Sequence, residues 1–364
     1  MSNVVLTGGR GFLGWHTRAA LYEKGVDMSL VPVGTKFNLA EARRAVSGAD
    51  RLIHLAGINR ADDEQVKSGN QLFAKQIAET LLSVDNPPST IVFANSTQAE
   101  NGSVYGQAKL AASEILRAAA ERVGAEFLDL RLPNLFGEHG RPFYNAVTAT
   151  FCHILVEGEE PTVDTDKELT LLHAQDAADL LIGNCSLEEQ DSLEERETVS
   201  GLLRRLKEID SIYRRGEIPD VSTEFTRNLF NTYRSHSFMQ RPEIPLVKHA
   251  DERGSFSEII RTHGGTGQTS FSTTVPGVLR GGHFHRRKVE RFLVLSGNAR
   301  IALRKMFTEE VLHFDVNGDE PIAIDMPTMW THSIENTGSE ILLTNFWTND
   351  HFDPNNPDTI VEAV

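Results

Sequence analysis

The sequence has few basic residues, few cysteines and no long apolar run. Its 364 residues include 36 lysines and arginines against 51 aspartates and glutamates, which leaves a formal net charge of -15. Because this excess of negative charge repels phosphate backbones and anionic lipids, neither nucleic acid nor a membrane surface is an expected partner. A small anionic ligand is compatible with the overall charge if it enters a locally basic pocket.

The two cysteines, Cys152 and Cys185, are too few for a disulfide framework, and a chain of this length does not need one. No stretch approaches the roughly 20 apolar residues that span a bilayer. The N-terminus lacks the basic segment and apolar stretch of a signal peptide. These absences predict a soluble cytoplasmic protein with reduced thiols.

The first half of the chain alternates strand-like and helix-like segments. Short apolar runs are followed by longer stretches of helical periodicity. The predicted strands cover 4–6, 51–56, 90–94 and 127–132, and the predicted helices cover 12–24, 71–82 and 108–123. This alternation predicts an α/β Rossmann-type domain, in which helices cover both faces of a parallel sheet.

The alternation ends after residue 183. An acidic segment, 187–197, has no apolar face and is predicted to be a solvated loop or the start of a surface helix. Two further helices are predicted at 202–213 and 225–233. Two prolines then mark 241–246 as a linker.

Short apolar runs separated by turn residues fill the chain beyond residue 246. Their number and spacing predict an all-β barrel or sandwich. The chain is therefore predicted to contain an α/β domain at 1–240, a linker at 241–246 and an all-β domain at 247–364.

Three glycines, Gly8, Gly11 and Gly14, stand between the first predicted strand and the first predicted helix. Glycines at this spacing let the backbone approach a pyrophosphate, and the helix N-terminus offers free N–H groups. A glycine-rich turn alone is weak evidence of a ligand. Its position directly after the first strand predicts nucleotide binding.

A tyrosine and a lysine, Tyr105 and Lys109, are spaced so that they share one face of a helix. A nearby ammonium, together with the positive charge of a nicotinamide, would lower the pKa of the phenol and help it donate a proton to a carbonyl. Ser96 or Thr97, at the end of a predicted strand, could bind the same carbonyl oxygen. The alternative for this pair alone is two unrelated surface residues.

Together with the glycine loop and His54–Gly57, this pair makes the first part of the chain resemble an extended short-chain dehydrogenase/reductase that acts on nucleotide sugars. The resemblance covers residues 1 to about 235 and implies catalytic roles for Ser96 or Thr97, Tyr105 and Lys109, and a structural or proton-relay role for Asn70. The cofactor-binding residues expected are Gly8, Arg10, Gly11, Phe12, Leu13, Gly14, Lys36, Leu55, Ala56, Gly57, Tyr105 and Lys109. The substrate-side residues expected are Arg131, Asn134 and Arg141, with His173 as a weaker candidate.

The end of the second strand, Leu30–Gly34, carries no carboxylate for the adenosine ribose diol. Such a carboxylate is the usual sign of NAD. Arg10 and Lys36 could instead neutralise a 2′-phosphate. We therefore expect NADPH as the cofactor, in preference to NADH.

The all-β half carries a histidine pattern. His283 and His285 lie two residues apart, so on a strand they point to the same face, and Glu290 and His332 could complete a site. Imidazole and carboxylate ligands suit zinc, iron, manganese or nickel. The pattern from Gly277 to Gly297 resembles the first cupin motif, and that from Pro327 to Asn336 resembles the second, with Met329 in place of a glycine. The resemblance implies a divalent metal, zinc being expected; the alternative is a cupin that has lost its metal.

The whole chain resembles the bifunctional capsular-polysaccharide enzymes of the CapF/WbjC type. The segments that carry this match include Asn59–Arg60, Pro133–Gly137, Asp251–Phe256 and Phe352–Asn355. The resemblance implies a UDP-linked 4-keto sugar as substrate: the cupin would epimerise UDP-2-acetamido-2,6-dideoxy-4-hexulose at C3. The reductase would then reduce C4 with NADPH to UDP-2-acetamido-2,6-dideoxy-L-talose, on the route to UDP-N-acetyl-L-fucosamine. A homo-oligomer is also implied, with a dimer favoured.

Two alternatives remain open. One is a reductase of another 4-keto sugar, such as a dTDP-linked one, in which the cupin serves mainly for assembly. The other is a non-enzymatic cofactor-sensing or scaffold protein, whose usual sign is the loss of the catalytic Tyr or Lys. Both Tyr105 and Lys109 are present, which disfavours it.

Overall fold

The computed structural model describes residues 3–364, which pack into two compact units. The first unit holds the described residues up to 136 with 140–147 and 167–198, and the second holds 137–139, 148–166 and 199–364. This division falls at residue 199, earlier than the predicted domain boundary at 240, because the helices after 199 pack within the second unit. No helix among residues 3–364 is both long and apolar enough to cross a bilayer.

The first unit is built on a five-stranded parallel sheet of order β2-β1-β3-β4-β5. Its elements are β1 (Asn3–Thr7), α1 (Phe12–Glu23), β2 (Asp27–Val31), α2 (Leu39–Val46), β3 (Arg51–His54), α3 (Asp63–Leu82), β4 (Thr90–Ser96), α4 (Val104–Val123) and β5 (Glu126–Leu132). The predicted Rossmann-like parallel sheet is confirmed. The winding direction reverses at β1, and ligands of such sheets bind in the crevice beyond the strand ends at that point.

Alternate residues of each strand enter two different cores. Val5 of β1 packs in a cluster that includes Ile77 of α3, whereas the adjacent Val4 packs in a cluster that includes Leu21 of α1. Since successive side chains of a strand point to opposite faces, helices cover both faces of the sheet.

Two helices begin earlier than their apolar periodicity predicts. The side chain of Asp62 accepts a hydrogen bond from the backbone N–H of Gln65 at 2.8 Å and starts α3, whose first two turns are mostly polar. The side chain of Ser103 accepts from the N–H of Gly106 at 3.0 Å and starts α4. Such capping residues define a helix start without any apolar residue nearby. As a result, Tyr105 lies in the first turn of α4.

A smaller sheet of order β6-β7-β8 follows. The elements of this stretch of the chain are β6 (Asn134–Phe136), α5 (Val147–Val156), β7 (Glu168–His173), α6 (Ala174–Ile182), α7 (Gln190–Leu193) and β8 (Glu194–Thr198). The prediction of a loop or surface helix for 187–197 is wrong in its second half, because β8 pairs antiparallel with β7. An edge strand can be charged throughout, so the lack of an apolar face did not exclude a strand.

Besides α5, nearly all of which falls within its residues 148–166, the second unit contains two helices and mostly antiparallel strands. Its elements are α8 (Val199–Tyr213), α9 (Glu224–Ser237), β9 (Glu243–Pro245), β10 (Lys248–Asp251), β11 (Gly254–Ser257), β12 (Gln268–Thr274), β13 (Leu279–Phe284), β14 (Glu290–Ser296), β15 (Asn298–Lys305), β16 (Val311–Asn317), β17 (Ile322–Met326), β18 (Trp330–Asn336), β19 (Leu342–Thr348) and β20 (Ile360–Val361). Two five-stranded sheets have the orders β12-β19-β14-β17-β9 and β16-β15-β18-β13-β20.

Part of the predicted linker at 241–246 is a strand. Residues Glu243–Pro245 form β9, which pairs with β17 at the edge of a sheet. Proline is tolerated at a sheet edge because it needs no ladder donor there. The two prolines therefore end the helical region without leaving the segment unpaired.

A buried ion pair joins α8 to two strands of the second unit. The Arg291 guanidinium donates to both oxygens of Asp325, at 2.5 and 3.1 Å, and both side chains are almost wholly buried. The Tyr213 hydroxyl of α8 donates to the same carboxylate at 2.8 Å. Burial alone would raise the pKa of Asp325, but the Arg291 charge lowers it overall. The pair is therefore ionised and anchors α8 on β14 and β17.

Asp325→Ala should destabilise the second unit by about 3–5 kcal/mol, because it leaves the Arg291 guanidinium buried without its carboxylate. The matched control is Asp315→Ala, which breaks the exposed Arg300–Asp315 pair and should cost less than about 1 kcal/mol. Denaturant unfolding followed by tryptophan fluorescence measures both. Equal losses for the two variants would show that the buried pair has no special role.

Candidate active site and metal centre

The glycine loop forms a tight backbone cradle between β1 and α1. Gly8 has a φ of +69°, and a Cβ placed there would lie 2.6 Å from the Ala56 nitrogen. A Cβ on Gly14 would lie 2.2 Å from the Gly8 oxygen. Gly11 is the N-cap of α1 and supplies no side-chain hydrogen bond to it. The first amides of α1 therefore face a surface that only glycines leave open, which fits a pyrophosphate.

The ends of β1 and β3 are tied together by a buried pair. The Thr7 hydroxyl accepts from the Ala56 N–H at 3.3 Å and forms a hydrogen bond with Nδ1 of His54 at 2.8 Å. Burial, and then the charge of Lys109, lowers the pKa of His54 to about 3. A neutral His54 therefore holds the segment that ends at Gly57.

Tyr105 and Ser96 form a hydrogen-bonded pair at the end of β4. Ser96 is buried, whereas Thr97 is exposed and begins a short 3-10 turn. Of the two hydroxyls predicted for this position, the structure brings Ser96 to Tyr105.

The groups of the protein itself raise the pKa of Tyr105, and the predicted lowering by the charge of a nicotinamide stays a prediction. Burial, and then Tyr144, raise the pKa of the phenol, and the hydrogen bond from Ser96 opposes them. Lys109 instead donates to the Ala94 carbonyl at 2.5 Å and lies 4.2 Å from the centroid of the Phe93 ring. Burial lowers the pKa of Lys109 to about 7.

Asn70 braces the loop beside Lys109. Its side-chain amide donates to the carbonyls of Ile58 and Val66, at 2.8 and 2.7 Å, and its oxygen accepts from the Ile58 N–H at 3.2 Å. A Cβ on Gly57 would lie 3.0 Å from the Asn70 oxygen and 3.9 Å from Nζ of Lys109. Asn70 therefore holds the loop near the lysine.

Two arginines lie beside the glycine loop. Arg10 is exposed, and the pKa of Arg18 is lowered by burial and then by the charge of Arg10. Cδ of Arg18 lies 3.7 Å from the position of a Cβ on Gly9. The sequence interpretation missed Arg18, although its spacing of four from Gly14 places both on one face of α1.

Lys36 is exposed in a short 3-10 turn, Gly34–Lys36. The turn is anchored to α3, since Gln76 accepts from the Gly34 N–H at 2.7 Å and donates to the Gly34 carbonyl at 3.2 Å.

The predicted substrate-side residues have different surroundings. Arg131 forms an ion pair with Glu100 at 2.7 Å, and the exposed Asn134 donates to the Thr170 carbonyl at 3.1 Å. The Arg141 guanidinium lies 4.8 Å from the ring centroid of Tyr144, the phenol that raises the pKa of Tyr105. Arg141 is thus the one of the three that the structure links to Tyr105.

The weaker candidate His173 is buried at the start of α6, with its ring 5.1 Å from that of Phe136 and 6.2 Å from that of His16. It packs among rings in the interior of the first unit.

The four predicted metal ligands meet in the second unit. One donor atom from each of His283, His285, Glu290 and His332 lies within 4.8 Å of the others. His283 and His332 are paired on β13 and β18 of one sheet, and Glu290 begins β14 of the other. The cluster therefore lies between the two sheets.

A bulge in β13 brings His283 opposite His332. The register shifts between Gly281 and His283, and Gly281 has a φ of +97°. A Cβ on Gly281 would lie 2.6 Å from the His332 carbonyl oxygen. Bulges commonly re-aim a side chain toward a site in this way.

The donor atoms of the cluster fit a divalent metal. Nε2 of His285 and Nε2 of His332 lie 3.0 and 3.2 Å from the same Glu290 oxygen, and the His332 nitrogen is buried without a hydrogen bond of good geometry. Ligands about 2.0–2.2 Å from a tetrahedral zinc are about 3.3–3.6 Å apart, slightly more than these separations.

Burial would raise the pKa of Glu290, but the charge of His285 lowers it overall. The carboxylate is therefore ionised. Burial and then His332 lower the pKa of His283 to about 3, which leaves that imidazole neutral.

Met329 stands where the second motif has a glycine, and it has the backbone conformation that favours glycine. Its φ is +59°, its side chain is fully buried, and its N–H donates to the His285 carbonyl at 2.6 Å. A non-glycine residue in this region carries a strain of about 1–2 kcal/mol. Packing of the buried Met329 side chain offsets that strain.

Met329→Gly should be more stable than Met329→Ala by roughly 1 kcal/mol, since alanine keeps the strain and loses the packing. The matched control is Met306, which is also buried but has no positive φ. There the usual order should hold, with Met306→Ala more stable than Met306→Gly. Thermal unfolding of the four variants measures both differences. The same order at both positions would contradict the strain assigned to residue 329.

Comparison with known proteins matches both halves of the chain. The NAD dependent epimerase/dehydratase family matches residues 4–199. The polysaccharide biosynthesis C-terminal domain matches residues 249–360.

Among curated proteins, the chain is 32% identical to the UDP-2-acetamido-2,6-beta-L-arabino-hexul-4-ose reductase of Pseudomonas aeruginosa, over 99% of this chain and 98% of that protein. It is 26% identical to the spore coat polysaccharide biosynthesis protein SpsL of Bacillus subtilis, over 31% of this chain and 81% of that protein. Among solved structures, the capsular polysaccharide assembling protein CapF of Staphylococcus aureus is 33% identical, with a TM-score of 0.62 and 100% of both chains covered.

Proposed function

Because the chain belongs to the NAD dependent epimerase/dehydratase family, we propose that it is a bifunctional nucleotide-sugar enzyme of polysaccharide biosynthesis. Its substrate would be UDP-2-acetamido-2,6-dideoxy-4-hexulose. The second unit, as the cupin barrel that we propose it to be, would epimerise C3. The first would reduce C4 with NADPH, giving UDP-2-acetamido-2,6-dideoxy-L-talose on the route to UDP-N-acetyl-L-fucosamine.

One observation carries this proposal: a single chain combines Ser96, Tyr105 and Lys109 beside a glycine cradle with a His–Glu cluster in a β-rich unit. The match to a reductase of a UDP-linked hexul-4-ose over nearly the whole of both chains supports the substrate class. Family membership supports a nicotinamide cofactor.

In the reductase step, NADPH bound along the glycine loop would supply the hydride to C4. Tyr105 would donate its proton to the carbonyl oxygen, and Ser96, its hydrogen-bonded neighbour, would hold that oxygen. Lys109, buried beside Gly57, would stabilise the phenolate that Tyr105 becomes.

In the epimerase step, the C4 ketone acidifies the C3 hydrogen, since the resulting carbanion delocalises into an enolate. His283, His285, Glu290 and His332 would hold a divalent metal, for which we expect zinc. The metal would supply a positive charge that stabilises the developing oxyanion. No acid or base is assigned to this step: Lys288 donates to the Pro357 carbonyl at 2.8 Å, and His313 and His351 are exposed.

The order of the steps follows from the chemistry. Epimerisation requires the ketone, and reduction removes it, so reduction traps the epimer. The direct test incubates the protein with NADPH and the UDP-linked 4-keto sugar and identifies the product stereochemistry by NMR. A dTDP-linked 4-keto sugar run in parallel tests the alternative substrate, and preference for it would overturn the UDP assignment.

Tyr105→Phe should reduce NADPH oxidation by about 10²–10⁴-fold, because it removes the proton donor. The variant should still exchange the C3 hydrogen of the sugar for deuterium in D2O, since that step belongs to the other unit. Mass spectrometry of the recovered sugar measures the exchange, and NADPH absorbance measures the reduction.

His285→Ala is the reciprocal variant. It should lose C3 exchange while it retains NADPH binding at the first unit, because it removes one donor of the metal cluster. Circular dichroism verifies that both variants are folded. C3 exchange that persists in folded His285→Ala would sink the role assigned to the cluster.

Arg10→Ala should weaken NADPH binding by roughly 10–100-fold and leave NADH binding unchanged. The reason is that a bond between ionised groups contributes about 1.5–3 kcal/mol, and only NADPH has the 2′-phosphate. Arg43→Ala, which removes an exposed arginine on α2, controls for overall charge. Nicotinamide fluorescence titration measures both affinities. Equal weakening for the two cofactors would refute the role of Arg10 in selecting NADPH.

A further inference from the structure

Asp358, in the C-terminal segment, accepts hydrogen bonds from the loop that contains His285. One carboxylate oxygen accepts from the backbone N–H of Arg286 at 3.0 Å. The other accepts from the N–H groups of Arg287 and Lys288, at 2.9 and 2.8 Å. Three successive amides that converge on one carboxylate form an anion-binding concavity. Asp358 therefore fixes the backbone directly after the first two histidines.

The same residue contacts His285 through its main chain. The Asp358 carbonyl oxygen lies 2.5 Å from Nδ1 of His285. A carbonyl oxygen can only accept a hydrogen bond, so Nδ1 of His285 carries a hydrogen. The opposite nitrogen, Nε2, lies 3.0 Å from the Glu290 carboxylate and is the nitrogen left to bind a metal. One residue thus sets both the loop backbone and the orientation of the ring.

The segment around Asp358 is itself held in place. Ile360 and Val361 pair with Phe284 and His283 through β20. Lys288 donates to the Pro357 carbonyl at 2.8 Å. Asp358 has a φ of +43°, a conformation that costs energy for a residue with a Cβ and is best tolerated by Asn and Asp.

We propose that Asp358 is a positioning residue of the metal centre, which holds His285 in the rotamer and tautomer that a divalent metal requires. This inference rests on the metal site of the proposed function. The carboxylate locks residue 358 onto the loop, and the carbonyl of the same residue can then orient the imidazole. Partners of this kind typically contribute 10–100-fold to metal affinity.

Asp358→Asn tests the proposal with little change of shape. Asparagine accepts the same φ, but its NH2 group faces backbone N–H donors where a carboxylate oxygen stood. The loop keeps a second anchor, since Asn231 of α9 donates to the Arg287 carbonyl at 2.9 Å, so the fold should survive. The expected result is a 10–100-fold loss of zinc affinity in competition with a chromogenic chelator, with faster amide hydrogen exchange at residues 286–288.

The matched control is Asp353→Asn, which makes the same charge change at an exposed residue of the same segment. Within residues 3–364, the Asp353 side chain accepts one hydrogen bond, a local one from the N–H of Asn355 at 2.9 Å. Its zinc affinity should stay within about twofold of the unmodified protein, because no contact with the 286–288 loop is lost.

Two results would overturn the proposal, and they are distinguishable. If His285→Ala lowers zinc affinity but Asp358→Asn does not, the metal centre stands and the role of Asp358 falls. If His285→Ala itself leaves zinc affinity unchanged, the metal centre falls and the role of Asp358 falls with it.

Discussion

A buried charge loses its hydration and must be compensated by a fixed partner, and both candidate sites depend on this constraint. Lys109 is buried and donates to the Ala94 carbonyl. Glu290 is buried against His285, and Asp325 against Arg291. Each of these partners belongs to a different strand or loop from the charge that it compensates. Satisfying the charges therefore fixes the distances between elements as well as the side chains themselves.

In the first unit, the constraint acts on both Lys109 and Tyr105. Burial lowers the pKa of Lys109 to about 7 and raises that of Tyr105. Cofactor binding would then supply the positive charge that the phenol lacks in the protein alone.

In the second unit, backbone features from three separate parts of the chain position the residues of the cluster. The bulge in β13 places His283, the left-handed turn at Met329 precedes β18, and Asp358 closes the loop from the C-terminal side. Met329 and Asp358 both have a positive φ, which costs backbone strain. Such strain persists only where surrounding contacts determine the conformation. Their concentration around one cluster agrees with a functional site rather than with stability alone.

The sequence by itself determined the features that depend on local spacing: the alternation of strands and helices, the glycine loop, the Tyr105–Lys109 face and the four-donor pattern. The periodicity of a helix or strand is set by adjacent residues, so it can be read from the chain. Only the tertiary structure decided that Ser96 rather than Thr97 is hydrogen-bonded to Tyr105, and that Arg18 lies near Arg10. It also decided that the Asp358 carbonyl contacts His285. It also decided that the charged segment Glu194–Thr198 is an edge strand. These outcomes depend on contacts between distant segments, and no local period encodes them.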